Sequence, residues 1–398
     1  MSKWPLVLLS ELVSQYEPVQ VRPEPDDRIR FAGVRWYGAG LFVREERAGS
    51  EIKGKCYALK PGTLIYNRLF AWKQSFAVVS NDYDGVVVSN EFPQFDVNPE
   101  MATAEYLALY CSSPIFASKA LELSTGSTAV SRNRLKEADF LGMPVAQPPV
   151  RVQRRLVEVI ATVDRYIEAL EVEESSLTVL LAAVRQSLLA DCPRVPLSSV
   201  CAIEARLVDP RENSYENLIH LGVDSIEKYT GRIVGGRTAR EDGVISGKYL
   251  VGERDVVYSK IRPALRKAAF PGHVALSSAD AYPLTPLDGF PPSLLREVLL
   301  EDVFTAQVTA LSTRLKMPKV NRRELFSTSV SMPATEEERL QVATTLDSMR
   351  SQLEAVSFEI ARIRTARAAL LDALLTRTVE VSILIDRQEN DSTAEDVA

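Results

Sequence analysis

The sequence predicts an α+β fold built twice: two similar domains separated by two long helices that form an antiparallel coiled coil, with a pseudo-twofold internal repeat. Three observations carry this reading. Two runs of about 40 residues hold apolar side chains at alternating three- and four-residue spacing. The order of features in the first half of the chain recurs in the second. Before each run, short β-branched and aromatic stretches alternate with Gly and Pro, which marks strands and turns.

Taken in order, residues 1–149 form the first domain. Pro18, Pro23 and Pro25 lie among charged residues and read as loop. Strands are expected at 63–66, 76–79 and 86–88, and a helical patch at 104–119. Pro148-Pro149 then steps into a helical region, 150–192, whose seam is Ile160, Val163, Ile167, Leu170, Leu177, Leu181, Val184 and Leu188. The second domain, 193–333, has a strand at 255–258 and a helical patch at 293–303. Pro333 opens the second helical region, 334–381, with its seam at Leu346, Met349, Leu353, Val356, Ile360, Ile363, Leu370 and Leu374. From residue 386 the chain is polar, acidic and without periodicity, so 382–398 is expected to be a disordered tail.

A helix of 40 residues is roughly 60 Å long. A narrow apolar stripe on such a rod needs a second helix along its length. Each seam carries one charged misfit, Glu174 in the first and Arg367 in the second, and opposite charges at such places fix register and orientation.

The repeat runs at an offset that drifts from about 192 to about 183 residues. Pro5, Val7, Leu9, Ser10 and Leu12 face Pro193, Val195, Leu197, Ser198 and Val200. Phe31-Ala-Gly-Val34 matches His220-Leu-Gly-Val223, Leu64-Ile-Tyr-Asn-Arg68 matches Val256-Val-Tyr-Ser-Lys260, and Phe92-Pro93 matches Tyr282-Pro283. This period is far beyond that of a solenoid. The repeating unit is therefore a domain plus its helix.

At 398 residues the chain exceeds one core, and 46% hydrophobic with 25% charged residues is an ordinary globular composition. The four cysteines have no CxxC spacing and there are two histidines, which leaves no usual zinc pattern and points to a reducing, cytoplasmic setting. No signal peptide is visible and no apolar run approaches a membrane span, so no membrane partner is expected.

The net charge of −6 argues at first against nucleic acid. Its distribution removes the objection. Residues 336–398 hold 7 basic and 13 acidic residues, so the remainder is neutral. Within that remainder, Arg314, Lys316, Lys319, Arg322 and Arg323 lie together with no acidic residue among them, and such a loop can bind phosphates locally. Two domains spaced by a rod suit a duplex with two short contact sites, and 60 Å corresponds to roughly 18 base pairs as an upper limit.

Several stretches carry a family likeness: Pro61-Gly-Thr-Leu-Ile-Tyr-Asn-Arg68, Gly85-Val-Val-Val-Ser-Asn-Glu-Phe-Pro-Gln-Phe95, Ala104-Glu-Tyr-Leu107 with Ser112-Ser-Pro-Ile-Phe116, and Thr125-Gly-Ser-Thr128 leading to Asn133-Arg-Leu135. Pro148-Pro-Val-Arg-Val-Gln-Arg-Arg-Leu156, running to Val163-Asp164, adds the proline step and helix start. In these stretches, in their order and in its duplication, the chain resembles the specificity subunits of type I restriction–modification systems, over about residues 4–381. It departs from their pattern at Val152-Gln153 and Glu337-Glu338, where a Glu-Gln pair is common, and at Gly62-Thr63 and Arg254-Asp255, where Gly-Asp is common.

The resemblance implies a non-enzymatic reader in phage defence, with two target-recognition domains that each recognise half of a split double-stranded DNA site. It implies that the helices recruit two adenine-N6 methyltransferase subunits, and that nuclease/translocase subunits can join. It places S-adenosylmethionine on the partner, with no cofactor in this chain. The alternative is a DNA-reading or scaffold subunit of another anti-phage assembly without a methylation role.

Base reading needs Arg, Lys, Asn, Gln, Ser or Thr at a groove edge, with further cations on phosphate. In the first domain the DNA-binding candidates are Asn67, Arg68, Trp72 and Lys73 after a strand, then Ser131, Arg132, Asn133 and Arg134 in a second loop. In the second domain they are Ser259, Lys260, Arg262, Arg266 and Lys267, then Arg314, Lys316, Lys319, Asn321 and Arg322. Catalytic and metal sites are expected to be absent. Gly38-Ala-Gly40 lacks a third glycine and a preceding strand, Asn98-Pro99-Glu100 is not a methyltransferase loop, Glu51-Ile-Lys53 lies in a charged loop, and no Walker loop occurs.

Overall fold

The computed structural model of the chain describes residues 4–125, 133–312 and 318–376. They group into two compact units. One takes the residues up to Glu168 together with those from Ala361 onward, and the other is the continuous segment Ala169–Ile360. Two helices, Val150–Leu189 and Glu336–Leu375, are each divided between the units, so each unit holds part of both.

In the first unit, strand Leu6–Leu8 pairs antiparallel with Pro144–Ala146 and places the following prolines at the start of the long helix. A four-stranded antiparallel sheet runs in the order Val13–Tyr16, Gln94–Val97, Leu64–Tyr66, Phe76–Val78. A five-stranded sheet runs Gln20–Val21, Cys56–Ala58, Val86–Ser89, Arg28–Val34, Leu41–Ala48, and its parallel pair is Arg28–Val34 with Val86–Ser89. Leu64, Ile65 and Tyr66 are all buried, which explains why this strand reads as a continuous apolar run instead of an alternation. Its core is aromatic, with the Phe140 ring 4.8 Å from Tyr66 and 5.0 Å from Phe95.

The second unit repeats this plan. Arg194–Pro196 pairs with Ser329–Ser331. One sheet runs Cys201–Ala202, Ala281–Pro286, Val256–Ser259, Ala268–Ala269, and the other runs Leu207–Val208, Lys248–Val251, Ala275–Ser277, His220–Leu221. Again one pair is parallel, His220–Leu221 with Ala275–Ser277, so the Phe31 and His220 motifs occupy the same place in equivalent sheets. The second sheet has four strands where its counterpart has five.

The helical patches differ from expectation. In place of one helix over 104–119 there are two, Ala104–Cys111 and Pro114–Leu123. Ser113 separates them: its hydroxyl accepts from Phe116 N, and Pro114 takes the first helical position, where a missing N–H costs little. The patch at 293–303 likewise resolves into Pro292–Leu299 and Asp302–Leu311.

The long helices pack antiparallel. In the first unit Leu156 and Ile160 share a core with Leu371, Leu374 and Leu375, and Arg367 Nη2 donates to Asp164 Oδ2 at 2.8 Å. In the second unit Leu181 packs with Leu346 and Leu353. Each charged misfit finds a partner inside its own unit. Arg367 takes Asp164, while Glu174 pairs with Arg232 at 3.0 Å and accepts from the Ser357 hydroxyl.

A buried ionic cluster in the second unit has no counterpart in the sequence reading. Glu297, fully buried, accepts from Arg185 at 3.0 Å, Arg296 at 2.9 Å and Arg350 at 2.5 Å. Arg296 also pairs with Asp347 at 3.0 Å, and Arg350 donates to the Thr230 carbonyl at 2.9 Å. Burial alone would raise the Glu297 pKa, but the guanidiniums of Arg350, Arg296 and Arg185 outweigh it and hold the carboxyl below its ordinary range. The cluster ties helix Pro292–Leu299 to both long helices.

At the helix starts the two units make one link with different chemistry. Gln153, fully buried, accepts from Thr103 N at 3.0 Å and donates to the carbonyls of Met101 and Pro148 at 3.0 and 2.9 Å. In the second unit Arg339 donates to the carbonyls of Gly289, Pro333 and Ala334 at 2.8, 3.2 and 3.0 Å.

Candidate nucleic-acid interface

In each unit a central strand of the four-stranded sheet runs into a polar corner, Asn67-Arg68 directly after Leu64–Tyr66 and Ser259-Lys260 at the end of Val256–Ser259. The backbone fixes the two turns alike. Asn67 N donates to Ser75 O at 3.1 Å, and Ser259 N to Lys267 O at 2.9 Å. Arg68 N donates to Glu91 O and Lys260 N to Asp280 O, both at 3.0 Å. The carbonyl of Arg68 accepts from Leu135 N at 3.0 Å, and that of Lys260 from Val320 N at 2.9 Å. Three chain segments therefore converge at the same place in each unit: the turn, an acidic residue, and a basic residue from the second loop.

The side chains complete the likeness. Arg134 forms an ion pair with Glu91, and Lys319 pairs with Asp280 at 3.1 Å. Arg68 is itself held by Glu137 and the Asn90 carbonyl, while Lys260 lies 4.9 Å from the centroid of the Tyr282 ring. Partial burial lowers the Lys260 pKa, and neighbouring Lys319 lowers it further against the opposing pull of Asp280. Each unit thus presents a loop cation paired to a carboxylate beside a strand-end cation, which in the first unit is engaged by a second carboxylate, Glu137. Such a set can exchange its internal carboxylate for an external anion.

The remaining predicted residues are placed as follows. The Asn67 carbonyl oxygen caps its own turn by accepting from Leu69 N, and Trp72 Nε1 donates to Leu69 O. Lys73 Nζ sits 3.6 Å over the Trp36 ring. Asn133 is half-buried beside exposed Arg134. Ser259, 2% exposed, donates to Ile261 O, so its hydroxyl shapes the turn. Arg262 is exposed, Arg266 pairs with Asp302, and Lys267 Nζ donates to Val223 O at 2.7 Å. Asn321 caps helix Arg322–Phe326 by accepting from Glu324 N, and Arg322 donates to Ile203 O. Ser131, Arg132, Arg314 and Lys316 lie outside the described residues, as do the Gly126–Thr128 part of the first motif and the tail.

Sequence reasoning found the cations of this site and missed Glu91 and Asp280, which set their positions. The signal was available: both acids lie in the short segment between aligned strands of the repeat.

No family model matches the chain. Over 139 residues it is 33% identical to the type I restriction enzyme EcoDI specificity subunit of Escherichia coli, covering 35% of this chain and 30% of that one. The chain thus spans about a third of the length of the curated relative it matches. Among solved structures it is similar to a type I restriction–modification S subunit from M. genitalium, with a TM-score of 0.55 at 9% identity over 94% of this chain and 96% of the other. A chain from a structure of complex assembly and conformational transition in a type I R-M system gives 0.54 at 16% identity, over 94% and 97%. The duplicated fold described above is the fold of these chains.

Proposed function

We propose that this chain is the non-catalytic specificity subunit of a type I restriction–modification assembly, each half reading one part of a split site in double-stranded DNA. One observation carries the reading. The same arrangement stands at the end of the same strand in both units: a strand-end cation, Arg68 or Lys260, whose backbone N–H donates to the carbonyl of an acidic residue, Glu91 or Asp280, and a loop cation, Arg134 or Lys319, on that residue's carboxylate. Two equivalent sites in one chain suit a target with two contact blocks. The regional identity to a curated specificity subunit and the shared fold support it.

On this reading Arg134, Asn133, Lys319 and Arg262 approach the duplex, and Asn67, Trp72, Lys73, Arg266, Lys267, Asn321 and Arg322 shape or border the contact surface. The candidates Ser131, Arg132, Arg314 and Lys316 flank it in sequence. The long helices would hold two adenine-N6 methyltransferase subunits, which bring S-adenosylmethionine, and nuclease or translocase subunits would join them. No described helix is long and apolar enough to cross a membrane.

Selection of binders by the purified chain from a pool of randomised duplexes tests the proposal. It should enrich two short conserved blocks separated by unread positions. One uninterrupted block, or no enrichment at low salt, would overturn it. Mapping methylated adenines in host DNA with and without the gene tests the methyltransferase partnership.

A further inference from the structure

We propose that Tyr37 and Tyr229 are an equivalent pair of base-contacting aromatics, one in each half, held out toward DNA by a strained backbone. This rests on the DNA-reading proposal and assigns it two residues outside the basic loops.

Among the described residues, five other than glycine have positive φ: Tyr37 (59°), Gln74 (60°), Tyr229 (66°), Arg262 (48°) and Arg266 (49°). Four of them form two pairs at the repeat offset of 192 residues, Tyr37 with Tyr229 and Gln74 with Arg266. A left-handed backbone is unfavourable for a residue with a Cβ, and most unfavourable where the side chain is bulky. Finding it at the same tyrosine in both halves shows a conformation imposed by the fold rather than a local accident.

The same hydrogen bond imposes it in each half. Tyr37 N donates to Lys73 O at 2.9 Å, and Tyr229 N donates to Leu265 O at 3.0 Å. Lys73 and Leu265 are themselves 192 residues apart and close equivalent single turns, Ala71–Lys73 and Pro263–Leu265. Those turns lie immediately beyond the Asn67-Arg68 and Ser259-Lys260 corners. Each tyrosine is therefore tied to the contact surface by its own backbone.

Both rings face out. Tyr37 is 69% and Tyr229 51% exposed, although an aromatic ring of this size is normally covered. Cations accompany them: Lys73 stacks on neighbouring Trp36, and Lys228 Nζ lies 5.6 Å from the Tyr229 ring. Of the acidic residues lining the same recess as Tyr229, Glu174 and Glu227 are engaged by Arg232 at 3.0 Å, and Glu171 lies beside them. An exposed aromatic with an amine on it, as at Tyr229, or on its neighbour, as at Trp36 beside Tyr37, suits stacking on, or wedging against, a base beside its phosphate.

The test uses the full chain, the variants Tyr37→Gly, Tyr229→Gly and Tyr37→Phe, and a labelled duplex carrying the two-block sequence enriched by the wild type. Glycine relieves the positive φ, so both glycine variants should melt at or above the wild-type temperature. They should nevertheless bind about tenfold or more weakly. Selection should then lose information chiefly from one block for Tyr37→Gly and from the other for Tyr229→Gly. Tyr37→Phe, which keeps the ring, should stay close to wild type. Glycine variants that keep full affinity and both blocks would overturn the pair, as would a phenylalanine variant as weak as the glycine one. Failure of the wild type to enrich any sequence would instead remove the DNA-reading proposal itself, and the pair with it.

Discussion

Glu91 and Asp280 occupy the same position in the two halves: each offers its backbone carbonyl to the strand-end cation, Arg68 or Lys260, and its carboxylate to the loop cation, Arg134 or Lys319. A carboxylate so placed competes with phosphate for the loop cation. Replacing it with its amide, Glu91→Gln or Asp280→Asn, should raise affinity for random duplex DNA. The log–log salt dependence should steepen by about 0.9 for each cation released. Anisotropy titrations across salt concentrations read both effects, and an unchanged slope would show that the cations do not reach phosphate.

The Glu297 cluster should dominate the stability of the second unit. Glu297→Ala leaves Arg185, Arg296 and Arg350 buried without their shared carboxylate, and breaking a buried pair costs about 3–5 kcal/mol. Denaturant unfolding of the variant should show this loss. Unchanged stability would mean that water replaces the carboxylate.

The same residue gives a pH dependence. Its pKa is lowered in the folded chain from an ordinary value of 4.5, so its contribution is fully present above that pH. It is lost as pH falls below 4.5 toward the lowered value. Unfolding followed between neutral and acid pH should show this loss in the wild type and not in Glu297→Gln.

Gln153 and Arg339 make equivalent links with unequal burial. Gln153→Ala should be the more damaging, because it strands Thr103 N and the Pro148 carbonyl around a fully buried site and leaves Met101 O only its Gln147 donor, at about 1–3 kcal/mol per unsatisfied group. Arg339→Ala should cost less, since that side chain is only half-buried and one of its acceptors, Ala334, is exposed. Thermal melts of the two variants provide the comparison.

The repeat, the seams and the central strands were legible because each leaves a periodic or ordered trace: Leu64-Ile-Tyr66 and Val256-Val-Tyr258 are buried strands in equivalent sheets. The break at Ser113 was equally present as Ser-Pro, but a continuous apolar pattern over 104–119 hid it. The Glu297 cluster could not be read, because its members come from residues 185, 296, 297 and 350 and only the fold brings them together. For the same reason Glu174 and Arg367 were recognisable as misfits while their partners, Arg232 and Asp164, were not. The left-handed tyrosines leave no compositional trace at all, since a positive φ is ordinarily sought at glycine or asparagine.

The division of the long helices between the units has a consequence for biosynthesis. The second unit is one uninterrupted stretch of chain, Ala169–Ile360. The first unit needs Leu371, Leu374 and Leu375 to finish its interior. A ribosome therefore makes most of that unit early, yet cannot supply its closing helix until the whole of the second unit has been made. The half that emerges first is the half completed last, and until then an apolar seam stands open to chaperones.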